Sequence, residues 1–164
     1  MPIRNIHERV INQSAAAVGA LIDSLASKDD QLWPRDRWPA MRFDRPLEVG
    51  AVGGHGPIRY TVASYQPGES IQFAFSKPSG FIGHHRFEIE PLDAERTILR
   101  HVIDMRVKGK AILLWYLAIR PLHNALLEDA LDLAERHSGV TCEPRHWSLW
   151  VRLLRRVMGS RRRR

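Results

Sequence analysis

Three histidines, His85, His101 and His123, stand in apolar company at strand or helix spacing. An imidazole titrates near neutral pH, so three of them facing one interior could hydrogen-bond a polar group or move protons. The same positions also suit core histidines satisfied by a neighbour, since a buried polar group needs a partner in either case. Tyr60 and Tyr116 fall on the same inward faces and carry the same double reading. No metal site is expected. None of the histidine pairs has metal-ligand spacing, and His84 and His85 alternate to opposite faces of a strand. Glu88 and Asp104 read outward, which leaves no carboxylate pair for hydrolytic work. Ser79-Gly80 and Gly53-Gly54-His55-Gly56 precede no helix and match no phosphate-loop spacing, so turns between strands account for them. No cofactor is called for.

Strands and helices must position these groups. Residues 3–13 alternate and carry β-branched side chains, as a strand does. Ser14 suits an N-cap, and the Ala-rich run behind it sets Val18, Leu21, Ile22 and Leu25 at helical spacing. Residues 28–46 hold two Trp-Pro steps. The residue before a proline avoids the α region, so any helix there is short and broken. Trp33, Trp38, Met41 and Phe43 make an apolar cluster on it, with Trp33 and Trp38 as candidates for a mobile lid. From Leu47 to Lys108 the pattern is one of strands and tight turns. Ile58, Tyr60 and Val62 share a face, as do Ile71, Phe73 and Phe75. So do His85, Phe87 and Ile89, and then Leu99, His101, Ile103 and Met105. Pro67 and Gly68 fit the centre of a type II turn. A long helix is expected over Ala111–His137, with Ile112, Tyr116, Ile119, His123, Leu126, Ala130 and Leu133 inward. Arg120, Asn124, Glu128, Asp132 and Glu135 trace its opposite face, and Pro121 predicts a kink. Trp115 reads as core packing.

The element order predicts an α+β domain, with a curved antiparallel sheet wrapped around the long C-terminal helix and an internal cavity between them. Ile6–Ser14 running into the Ala-rich helix, GPIRYTVASYQPGESIQFAF, GHHRFEIEP and WYLAIRPLHNALLEDALDLAE resemble the START-related SRPBCC superfamily. This is the helix-grip fold of polyketide cyclase/dehydrase-like and lipid-transfer proteins. The resemblance spans roughly residues 3–137 and includes no catalytic signature, so no catalytic residue transfers. It implies a mostly apolar pocket between the concave sheet and the last helix. Tyr60, Phe73, Phe75, His85, Phe87, His101, Ile103, Tyr116, Ile119 and His123 are the ligand-binding candidates.

Charge divides the chain. Of 25 basic and 18 acidic residues, eight arginines and one acid lie from Ser138 onward, so residues 1–137 balance at 17 of each. A neutral body with a basic tail disfavours a nucleic-acid-binding domain, whose basic residues would cluster on the folded face. The chain therefore reads as a START-like domain over 1–137 and a basic amphipathic tail over 138–164. Between His146 and Met158, apolar residues at 147, 150, 151, 154, 157 and 158 form one helical stripe. Trp147, Trp150, Arg152, Arg155 and Arg156 are the candidates for contact with an anionic membrane surface. The stripe packing on the body is the alternative. The single Cys142 excludes an internal disulfide and reads as inert. No signal peptide or spanning helix is apparent, so a cytoplasmic protein, with peripheral membrane contact, is the expectation.

Three functions follow. The first is carriage of a small hydrophobic or amphipathic ligand (lipid, isoprenoid or polyketide-like). The second is a cyclase/dehydrase-like enzyme moving protons with cavity histidines and tyrosines. The third is a protein-interaction module without a ligand.

Overall fold

The structure is a computed structural model that describes residues 1–141, 143 and 145–160. Cys142 lies outside the described residues. The chain runs β1 (Pro2–Ile11), α1 (Ala15–Asp23), β2 (Arg42–Phe43), β3 (Val52–His55), β4 (Ile58–Gln66), β5 (Ser70–Lys77), β6 (Phe81–Pro91) and β7 (Thr97–Val107). Then follow α2 (Ala111–Leu114), a π-helical turn (Trp115–Ile119), α3 (Arg120–His137) and α4 (Leu149–Ser160). The strands form one antiparallel sheet in the order β1-β7-β6-β5-β4-β3-β2. The curved sheet grips α3, as its alternation predicts.

The register sets one inward row. His7 pairs with His101, Phe87 with His101, Phe73 with His85, and Tyr60 with Phe75. Because side chains alternate, these residues share the concave face. Two apolar clusters fill it. One is built on α1, the Trp33–Trp38 segment, Tyr60, Phe73, Phe87 and the α3 leucines. The other gathers Ile3, Phe81, Ile103, Met105, Val107 and Trp115 beneath α2. Phe75 and Ile119 touch both.

The long C-terminal helix departs from a simple kink. A π-helical turn precedes α3, and Pro121 sits in the first turn of α3, where proline is tolerated. Pro121 has no N–H to offer the Leu117 carbonyl four residues earlier. The Trp150 indole N–H, from α4, donates to that carbonyl at 2.8 Å. The C-terminal helix is thereby tied to the body. Val151 is buried, and Trp147 and Leu154 pack against the main core.

Three expectations need correction. Tyr116 points outward and is 42% exposed, because the π turn rotates it off the inward face. Asp132, expected outward, is buried against Arg9 and Arg145. Trp33 and Trp38, expected as a lid, are buried in the core. Trp33 donates to the Pro39 carbonyl at 3.0 Å and Trp38 to the Asp129 carboxylate at 2.7 Å.

Ser14 caps α1 through Ala17, and the helix lies tight on the β4–β5 turn. A Cβ built on Gly19 would stand 2.1 Å from the Gly68 carbonyl oxygen. Gly68 itself holds φ +77° at the turn. Alanine usually stabilises a helix over glycine by about 1 kcal/mol. Here overpacking against backbone, costing about 1–3 kcal/mol, outweighs that gain. Gly19→Ala is therefore expected to lower the urea midpoint. An unchanged or raised midpoint would show that α1 and the turn separate without cost.

Candidate functional site

A belt of rings crosses the concave face, one or more from most strands. Its first member is His55 of β3, 4.7 Å from Trp33 between ring centres. The His55 Nδ1 lies 3.0 Å from the Tyr60 hydroxyl. The Tyr60 ring meets His85 edge-on at 4.7 Å. His85 stacks on Phe73 at 4.9 Å and Phe75 at 4.8 Å. Its Nδ1 lies 3.2 Å from His101 Nε2, one ring donating and the other accepting. His101 lies 5.0 Å from His123 of α3, which in turn lies 5.8 Å from His7 of β1. At that far end His7 bonds Glu128 at 2.9 Å and Asn124 at 3.1 Å.

The middle of the belt is polar and unsatisfied. His85 Nε2, His101 Nδ1 and both ring nitrogens of His123 are buried with no hydrogen-bond partner. His85 and His101 are 5% and 2% exposed. The whole His123 residue is partly exposed, yet its two nitrogens are enclosed, and it is the nitrogens that matter for hydrogen bonding. Burial holds His85 and His101 well below the ordinary imidazole range, with neighbouring histidines adding to the effect. Burial pushes His123 down to about 3, helped by His7 and His55. It pushes His55 down to about 4, helped by Arg59. Burial raises the Tyr60 hydroxyl far above its usual value. The rings are therefore neutral at physiological pH, each with one N–H donor and one bare acceptor nitrogen. Among the described residues no three His, Cys, Asp or Glu side chains are arranged to hold a metal.

Of the sequence-derived set, Tyr60, Phe73, Phe75, His85, Phe87, His101, Ile103, Ile119 and His123 lie in or beside this region. Tyr116 does not. His7 and His55 were missed. For His7 a signal existed: Ile3, Asn5, His7, Arg9 and Ile11 share one parity of β1, and that parity faces inward. The Gly-rich frame of His55 masked its strand.

The open hollow that was expected is filled by these rings. Two surface recesses among the described residues lie elsewhere. One, about 440 Å³, opens beside β2–β4 and is lined by Arg42, Phe43, Asp44, Gly53, Gly54, His55 and Arg59. It touches the belt directly: Phe43 stacks on Phe73 at 5.8 Å, and His55 is bonded to Tyr60. The other, about 560 Å³, is walled by five arginines with His146 and Trp147.

The buried imidazoles make stability depend on pH in a defined sense. An unfolded histidine takes a proton near 6.5, whereas the folded rings refuse it until far lower pH. Their contribution is complete above about pH 6.5 and is lost as pH falls toward about 4 for His55 and about 3 for His123. Each can weigh about 1.4 kcal/mol per pH unit in that window. The urea midpoint is expected to drop clearly between pH 7 and pH 5, and less steeply in His101→Leu. A flat profile would contradict neutral, buried rings.

No protein-family model matches the sequence, and no curated protein matches it. Solved structures do. Norcoclaurine synthase from Thalictrum flavum, a point mutant in complex with a transition-state analogue, matches 84% of this chain and 96% of its own. The identity is 14% and the TM-score 0.63. A conserved protein of unknown function from Enterococcus faecalis matches 99% of this chain and 85% of its own at 11% identity, with a TM-score of 0.60. A START superfamily protein from Mycobacterium smegmatis matches 83% of this chain and 97% of its own at 16% identity, with a TM-score of 0.54. The chain has a START-like helix-grip fold.

Proposed function

We propose that this protein binds a small apolar or amphipathic molecule, of lipid, isoprenoid or polyketide-like chemistry, between the concave sheet and α3. The observation that carries the reading is the set of four enclosed imidazole nitrogens without partners, on β6, β7 and α3. A buried polar atom left unbonded costs about 1–3 kcal/mol. Leucine or phenylalanine at the same positions would avoid that cost. A ligand carrying one hydroxyl, carbonyl or carboxyl among apolar atoms would meet the rings and offset it. The aromatic wall of Phe73, Phe75 and Phe87 suits the apolar remainder. The 440 Å³ recess has the size of a small-molecule site. It opens to solvent beside the belt, with Arg42, Asp44 and Arg59 at its polar mouth and Phe43 and His55 against the belt. Admission then requires rings of the belt to turn aside.

The test uses the double variant His85→Phe/His101→Leu, which removes both members of the bonded pair and strands neither. Native mass spectrometry of the purified chain is expected to show a retained small molecule. Displacement of cis-parinaric acid is expected to weaken at least about tenfold in the variant. The variant's thermal midpoint should hold or rise, by about 2–4 °C for each kcal/mol recovered. No retained molecule and no parinarate binding by the native chain would overturn the reading, as would undiminished binding by the variant.

A membrane reading has its own support. Leu149, Trp150, Leu153 and Val157 form an exposed apolar strip on α4, beside Leu113, Tyr116 and Leu117 of the preceding segment. Arg152 and Arg156 are exposed on its flank. That pairing suits an anionic bilayer. Leu149→Asp/Leu153→Asp is expected to abolish co-sedimentation with phosphatidylglycerol vesicles. Equal binding by variant and native chain would remove this strip from consideration.

A further inference from the structure

The larger recess has a construction of its own. Its wall brings together the side chains of Arg37, Arg145, Trp147, Arg152, Arg155 and Arg156, from the segment after α1, the approach to α4 and α4 itself. Asp129 of α3, 4% exposed, organises it. One carboxylate oxygen accepts from Arg37 at 2.8 Å. The other accepts from the indoles of Trp38 at 2.7 Å and Trp147 at 3.1 Å. The two indoles, 5.4 Å apart, then carry guanidiniums on their faces. Arg37 lies 4.2 Å from the Trp147 ring centre, and Arg155 lies 4.0 Å from Trp147 and 4.3 Å from Trp38. Arg155 also donates to the Arg37 carbonyl. Arg145 is held by Asp132 at 2.9 Å and Glu128 at 3.4 Å.

The charge does not balance. Among the described residues no carboxylate forms an ion pair with Arg152, Arg155 or Arg156. The burial of Arg155, with Arg37 beside it, disfavours its charge, and Asp129 offsets this only in part. Like charges fixed this closely cost energy unless an anion joins them. A guanidinium fork matches phosphate oxygens in pairs, and stacking on indole fixes the plane of the fork beforehand. A single carboxylate would engage one fork and leave the rest repelling.

We propose that this recess binds a phosphorylated group carrying several negative charges, a phosphate monoester or pyrophosphate. Arg152 and Arg156 supply the free forks, and Arg37 and Arg155 form the pre-set floor. The group can arrive on a lipid headgroup or as a free anion. The site is independent of the interior ring belt.

Calorimetric titration of the full chain with inorganic pyrophosphate at 0.15 M salt tests it. Saturable one-to-one binding is expected, weakened about tenfold or more in Arg152→Ala/Arg156→Ala. Arg161→Ala/Arg162→Ala removes equal charge from the same tail and is expected to change affinity little. His85→Phe/His101→Leu should bind pyrophosphate as the native chain does, which separates failure here from failure of the interior reading. A second arm uses phosphatidylcholine vesicles with and without phosphatidylinositol 4-phosphate. Capture by the phosphorylated vesicles, reversed by pyrophosphate, assigns the site to a headgroup. Pyrophosphate binding without such capture assigns it to a free anion. No one-to-one binding, or equal loss in both arginine pairs, would overturn the proposal in favour of diffuse charge attraction.

Discussion

Buried carboxylates along α3 determine where everything else can sit. Asp129 and Asp132 are 4% and 3% exposed, an arrangement that is strongly unfavourable for an isolated charge. Each is stable because donors arrive from distant parts of the chain. Asp129 collects Arg37, Trp38 and Trp147. Asp132 collects Arg9 and Arg145. Burial works against the Arg9 charge, yet its bonds to Asp132 and Glu135 leave its pKa raised. One flank of α3 is thus fastened to β1 and the other to the Trp38 segment and the approach to α4. Removing one partner would strand a buried charge, so these contacts fix the helix in register even if their net contribution to stability is small.

That fixed register places His123 against His101, which is bonded to His85, and the interior belt follows from it. A helix-grip sheet offers a concave face wider than one helix can cover. Here aromatic rings and imidazoles from the strands fill the excess width. The two apolar clusters that share the belt's rings would close more stably over leucine or phenylalanine than over imidazoles with bare nitrogens. Native chains place such local costs where a function requires them, and elsewhere they tend to be removed. The energetic asymmetry, more than the residue types, sets this region apart from an ordinary core.

Much of this was legible in the sequence, because period-2 alternation is a strong signal when one sheet face is buried. The inward sets on β4 to β7 were read from alternation alone, and their register on the sheet agrees. What was illegible depended on partners far away in sequence. Nothing local to Asp132 says that Arg9, more than a hundred residues earlier, will bury it. The Trp-Pro segment read as mobile because proline breaks helices, but Trp38 is anchored by an aspartate from α3. Tyr116 was misplaced because a helical period was continued through a segment that adopts a π turn. The openness of the interior was invisible too, since alternation fixes which side chains face inward and says nothing of whether they meet.

Pro121 links the last of these points to the tail. Proline withholds the N–H that the Leu117 carbonyl would otherwise receive, and that carbonyl lies near the surface. Water could satisfy it, but an indole from α4 does so instead. The bond holds α4 so that Val151 and Leu154 face the core. A helix with one side so committed has its remaining sides set by geometry. Leu149, Leu153 and Val157 are left on one exposed flank, and Arg152 and Arg156 on the other. A freely tethered basic tail would present an averaged charge. A docked one holds its arginines beside Arg37 and the stacked indoles, and that fixed placement turns a run of like charges into a recess with a defined shape.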